Sequence, residues 1–232
     1  MRQMAIKQIL FNTEMVRAIL DGRKSCTRRI NKDANDYVVP DMDFFDPEKR
    51  TYAVHNYADK ERKIKLSIAE RSCPICPGDI LYVRETWHKY TKRVGDGENC
   101  HLAEFYGYKA SVTNSEDANE PWKPSIHMPK DAARIWLKVT DVRVERLQEI
   151  SAESALAEGA DKYIRTNGEL NKSLTITSFI GIWNSTIKKS DLDRYGWNAN
   201  LWVWVIEFER CEKPEESPYA WNDSIHKLTK GV

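Results

Sequence analysis

The spacing of apolar and polar residues places most elements of this chain. MAIKQILF, residues 4 to 11, is an apolar-rich run that predicts a short strand. Met15, Val16, Ile19 and Leu20 then recur on one helical face, with Asn12 or Thr13 positioned to cap the helix and Gly22 to end it. CTRRI, residues 26 to 30, starts a second strand. Periodicity fades from 31 to 70, which reads as an insertion with a hairpin around RTYAVHNY. Pro77, Gly78 and Asp79 make a turn into the strand ILYVRETW, where Ile80, Tyr82, Arg84 and Thr86 alternate with Leu81, Val83, Glu85 and Trp87. A second polar insertion covers 91 to 121, with AEFYGYKA as a strand inside it. WKPSIHMPKDAA is broken by prolines, and RIWLKVTDVRVERL is a long strand pattern. Ser151 caps a helix over SAESALAEGA that Gly159 ends, SLTITSFIGIWNSTI gives another helix, and LWVWVIEFERC is a final buried strand.

Strands outnumber helices, and no glycine-rich phosphate loop or dinucleotide-binding turn is present. This order predicts an α+β fold, a small mostly antiparallel β-barrel with flanking helices and loop insertions. Residues 1 to 211 form one domain, and 212 to 232 a polar tail. With 232 residues, 41% hydrophobic and 31% charged, the chain is long and apolar enough to bury a core. No apolar run reaches the length of a membrane span and no secretion signal opens the chain, so a cytoplasmic location is expected. A net charge of +1 gives no global attraction to nucleic acid, so any anion site must be local. Cys73 and Cys76 share the spacing of a metal or redox half-site, but no second pair completes it, and Cys100 with His101 is poorly spaced to do so. Neither a metal nor another cofactor is expected.

One short stretch stands out. DGRKSCTRR follows the first helix and carries Arg23, Lys24, Thr27, Arg28 and Arg29 within seven residues. A solvated charge run and a site for an anion or nucleoside both fit that composition. Basic side chains just past a helix C-terminus also meet the negative end of its dipole. Arg84 is a further candidate for a ligand oxygen or a structural ion pair, Trp87 for stacking on a base or for the core, and His127 for a pocket or a structural loop.

ILDGRKSCTRR, PGDILYVRETW, LQEISAESALAEGA and WVWVIEFE, in that order, resemble the ASCH domain family, which has a PUA-like barrel. Gly22, Lys24 and Arg28 match its G-x-K-x-x-x-R signature, and the chain looks most like the long ASCH-like proteins of phages and prophages. The resemblance implies binding of a nucleobase, nucleoside or RNA, and motif similarity to an N4-acetylcytidine amidohydrolase implies a catalytic Lys24, Thr27 and Glu158, with Glu153 as the competing glutamate. Amide hydrolysis needs a nucleophile, a base and a stabiliser for the oxyanion. Lysine acts as a base only when burial or neighbouring positive charge lowers its pKa. The pocket is then expected between the Gly22 to Arg29 junction and the helix carrying Glu158, with Arg23, Arg28, Arg29, Arg84, Trp87 and His127 around the ligand. Non-catalytic RNA reading, ribonuclease activity and, for a phage protein, binding of a host protein are the rival readings.

Overall fold

The computed structural model describes residues 4–32, 40–46, 51–58, 65–72, 74–111, 121–160, 165–166 and 169–215. Its centre is a mixed five-stranded sheet built from β1 (Ile6–Leu10), β2 (Cys26–Ile30), β6 (Ile80–Arg84), β9 (Trp136–Arg146) and β12 (Trp202–Cys211), in the order β1-β6-β9-β12-β2. β1 runs parallel to β6, and the other three pairings are antiparallel. The first polar insertion contributes a separate antiparallel sheet of β3 (Pro40–Asp46), β4 (Thr51–Ala58) and β5 (Lys65–Ser72). The second contributes an antiparallel pair, β7 (Trp87–Val94) with β8 (His101–Tyr108). A two-stranded pair, β10 (Arg165–Thr166) with β11 (Glu169–Leu170), lies between two of the helices in sequence.

The fold is α+β and largely antiparallel, but among the described residues the main sheet does not close into a barrel: no ladder joins its edge strands β1 and β2. A side chain bridges them instead. Arg29 of β2 donates through Nη2 to the carbonyl of Leu10 at the end of β1, 2.9 Å away.

Alternation along β12 sorts the core into two layers. Trp204, Ile206 and Phe208 join Ile9, Phe11, Leu81 and Val83 beneath helix α1 (Thr13–Leu20). Val203 and Val205 turn to the opposite face and pack with Cys26, Leu147, Ala155, Phe179 and Trp183. That layer is closed by α2 (Ala152–Ala157) and α3 (Lys172–Ser185), the latter burying Thr175, Phe179 and Trp183 one turn apart. The short α4 (Leu192–Tyr195) follows. Trp204 enters the α1 layer, while the Arg146 guanidinium lies over the ring of Trp202, 4.3 Å from the ring centre.

The sequence run ILYVRETW is two strands, with the break at Glu85. Glu85 is buried, so its carboxylate must be paired. Arg134 supplies two parallel bonds of 2.9 and 3.0 Å and lays its guanidinium 4.1 Å over Tyr108.

Candidate functional site

Two helix ends meet at the candidate site. At the end of α1, Gly22 takes φ +71° and donates to Ile19 O, while Arg23 donates back to Ala18 O at 2.8 Å. At the end of α2, Gly159 takes φ +94° and donates to Leu156 O at 2.8 Å, and Ala160 donates to Ala155 O. These are two Schellman endings, each needing a left-handed residue that glycine adopts without strain. They dock closely: a Cβ on Gly159 would stand 3.1 Å from the Cβ of Ala18 and 3.6 Å from that of Lys24. Ser25 N donates to Ala157 O, so the chain leaving α1 pairs briefly with the end of α2. That contact holds Lys24 opposite Glu158.

Lys24 and Glu158 are each 4% exposed and Thr27 is 2% exposed. The Lys24 ammonium donates to three acceptors: the Glu158 carboxylate at 2.7 Å, the Glu158 carbonyl at 2.9 Å and the Cys26 carbonyl at 2.7 Å. Three acceptors saturate an ammonium group. Burial pushes the Lys24 pKa below its ordinary value, opposed by the attraction of Glu158 and reinforced by the nearby charge of Arg29. The thiol of Cys26, buried next to the same carboxylate, is pushed up from 9.0 to about 12, first by burial and then by Glu158.

Arg28 takes the other oxygen of Glu158 at 3.3 Å, and also bonds Glu145 at 3.1 Å and Ser154 at 2.9 Å. Glu145 in turn accepts from Arg143, which also pairs with Asp141 and Glu207. A connected line of alternating charges thus runs from buried Lys24 out across β9 and β12. Glu145, Ser154 and Phe11 are parts of this neighbourhood that the sequence reading missed; only the alternation of charges in VRVER offered a signal for Glu145.

Among the expected site residues, Lys24, Arg28 and Glu158 converge. Glu153, the competing glutamate, is exposed in the first turn of α2. Thr27 faces Ile206 across the ladder, on the α1 side of the sheet, and is not among the acceptors of Lys24. Arg23 is occupied by Asp21 and reaches the Gly159 carbonyl at 3.4 Å. Arg84 bonds Gln8 and the Ile126 carbonyl. Trp87 is buried against Tyr106 with Lys123 over its ring, and His127 is exposed in the turn Ser125–His127. Neither joins the Lys24 cluster. Cys76 is buried, Cys73 lies outside the described residues, and no group of three metal-binding side chains occurs among the described residues.

A cleft of about 460 Å³ lies beside this cluster, lined by Leu10, Phe11, Asn12, Met15, Arg29 and residues of the 124–125 and 185–186 segments. The Phe11 ring forms its wall toward Lys24. The ammonium is 5.5 Å from the ring centre, and the Arg29 guanidinium is 5.2 Å from the same centre. Among the described residues, no helix is long and apolar enough to cross a membrane. Comparison with protein-family models, curated proteins and solved structures returned no match.

Proposed function

We propose that the protein is an ASCH-like, PUA-related protein that binds the base of a modified nucleoside in the cleft against Phe11 and Arg29, and hydrolyses an exocyclic amide such as that of N4-acetylcytidine. The observation carrying this reading is the buried Lys24–Glu158 pair at 2.7 Å, one aromatic ring away from a nucleoside-sized cleft. The reaction requires the amide to reach the pair past the Phe11 ring, whose centre is 5.5 Å from the ammonium. In a dry site, a proton crosses the short Lys24–Glu158 contact and leaves a neutral amine beside a carboxylic acid. Lys24 then removes a proton from water as its oxygen bonds to the amide carbon. The C–N bond breaks as Glu158 protonates the departing nitrogen, which restores the ammonium and carboxylate of the resting pair. The products are a carboxylic acid and the free exocyclic amine. Thr27, buried one strand position past Cys26, is the alternative nucleophile in place of water.

The saturation of Lys24 by three acceptors supports a second reading, in which the cluster is structural and the cleft only binds. Incubation with N4-acetylcytidine separates the two. Hydrolysis by the wild type, lost in Glu158→Gln and Lys24→Ala variants that remain folded, is the outcome expected of the enzyme. Saturable binding with no turnover would leave only the reader, and turnover insensitive to both changes would remove the pair from the mechanism.

A further inference from the structure

The preferred ligand, we infer, is two nucleotides joined by a phosphodiester rather than a free nucleoside; this rests on the base-binding reading above. A second cleft of about 600 Å³ lies in the gap between the unlaced edges of β1 and β2. Its walls are Ile9, Ile75, Trp204 and Ile206, and Gln8, Asn31 and Lys32 are its polar lining. Both clefts are in the size range of small-ligand sites, and each has an aromatic ring in its wall, Phe11 in one and Trp204 in the other. They meet at Leu10 and Arg29, which line both.

Arg29 differs from its neighbours in sequence. Arg23 and Arg28 are each claimed by carboxylates. Arg29 is exposed along its side chain, while burial of the guanidinium lowers its pKa against the attraction of Glu158, and its one side-chain hydrogen bond among the described residues goes from Nη2 to the Leu10 carbonyl. That bond and the Phe11 ring fix the guanidinium in place, while Nε and Nη1 keep donors for another acceptor. A positioned guanidinium with two open donors matches the oxygens of a phosphate. A fixed cation standing between two base-sized hollows repeats the order base, phosphate, base. Lys32, lining the second hollow, adds charge where a second phosphate or ribose would lie.

The test compares the affinity of N4-acetylcytidine with that of a dinucleotide carrying the same base and one phosphodiester, in the wild type and in Arg29→Gln and Lys32→Gln. Charge-assisted hydrogen bonds predict roughly a tenfold or greater advantage for the dinucleotide, reduced by added salt. The ratio of the two affinities should fall toward one in Arg29→Gln and fall by a smaller factor in Lys32→Gln, with melting curves confirming that both variants fold. A wild-type ratio near one, or a ratio unchanged in Arg29→Gln, would overturn the inference and leave nucleoside binding standing. Failure of both ligands to bind would overturn the base-binding reading and this inference with it.

Discussion

Replacing Lys24 with methionine tests whether the cluster under Phe11 holds the two helix ends together. Methionine fills much of the same volume but donates nothing. The substitution leaves the Glu158 carboxylate with Arg28 alone and strips the Glu158 and Cys26 carbonyls of a donor at 2.9 and 2.7 Å. Removing one partner of a buried ion pair costs about 3–5 kcal/mol. Arg28 remains, so the lower end applies, about 3 kcal/mol. For a domain of this size about 2–4 °C is lost per kcal/mol, which gives a melting point lower by roughly 6–12 °C. Chemical denaturation of Lys24→Met, Glu158→Leu and the double variant reads the pair directly. The double variant should cost less than the two single costs added, by about 1–3 kcal/mol, because it leaves no lone charge at the pair. Glu14→Gln, which breaks the exposed Arg17–Glu14 pair, is the control and should leave stability unchanged within error. A Lys24→Met variant within about 1 kcal/mol of wild type, or strictly additive costs, would refute the reasoning.

Three further outcomes follow from the geometry. Gly159→Ala should destabilise the protein by more than Gly22→Ala in urea denaturation: both place alanine at a left-handed φ, for about 1 kcal/mol or more, but only at Gly159 does the new Cβ also press on Ala18. The Cys26 thiol is raised to about 12 in the folded state, so the folded protein holds this proton between pH 9 and 12 while the unfolded chain releases it. Its stabilising contribution is therefore complete below pH 9 and is lost as pH rises toward 12; Cys26→Ala should fall less steeply across that window, by up to about 1.4 kcal/mol per pH unit, when denaturation midpoints are compared. Gly107→Ala should displace the His88 ring, which lies on Gly107 and sits 4.5 Å from Trp122 at a tilt of 36°, with the change read in near-ultraviolet circular dichroism.

The elements with strong local chemistry were legible in the sequence. Asn12, Gly22, Ser151 and Gly159 mark the ends of α1 and α2 because capping and left-handed φ are set by one residue each. The same marks place Lys24 and Glu158 just beyond two helix ends, though only tertiary packing shows that those ends touch. The insertions were harder. β3, β4 and β5 draw on polar sequence without clean alternation, and the pattern ends a strand at Trp87 where β7 begins, because Lys89, Lys92 and Arg93 hide the period of β7. Arg134 could not be assigned to Glu85 from sequence, since 49 residues separate them. The unlaced seam between β1 and β2 was equally invisible: the pattern fixes which face of each strand is buried but not whether the sheet's edges join.

The Lys24–Glu158 contact also has a kinetic meaning. Its partners are 134 residues apart, and β9 and α2 must be in place before the carboxylate can reach the lysine. Closing so long a loop is an entropic cost met only after nearer contacts exist. The cluster therefore acts as a latch fastened late: changes within it speed the opening of the native state and leave the rate of its formation nearly untouched.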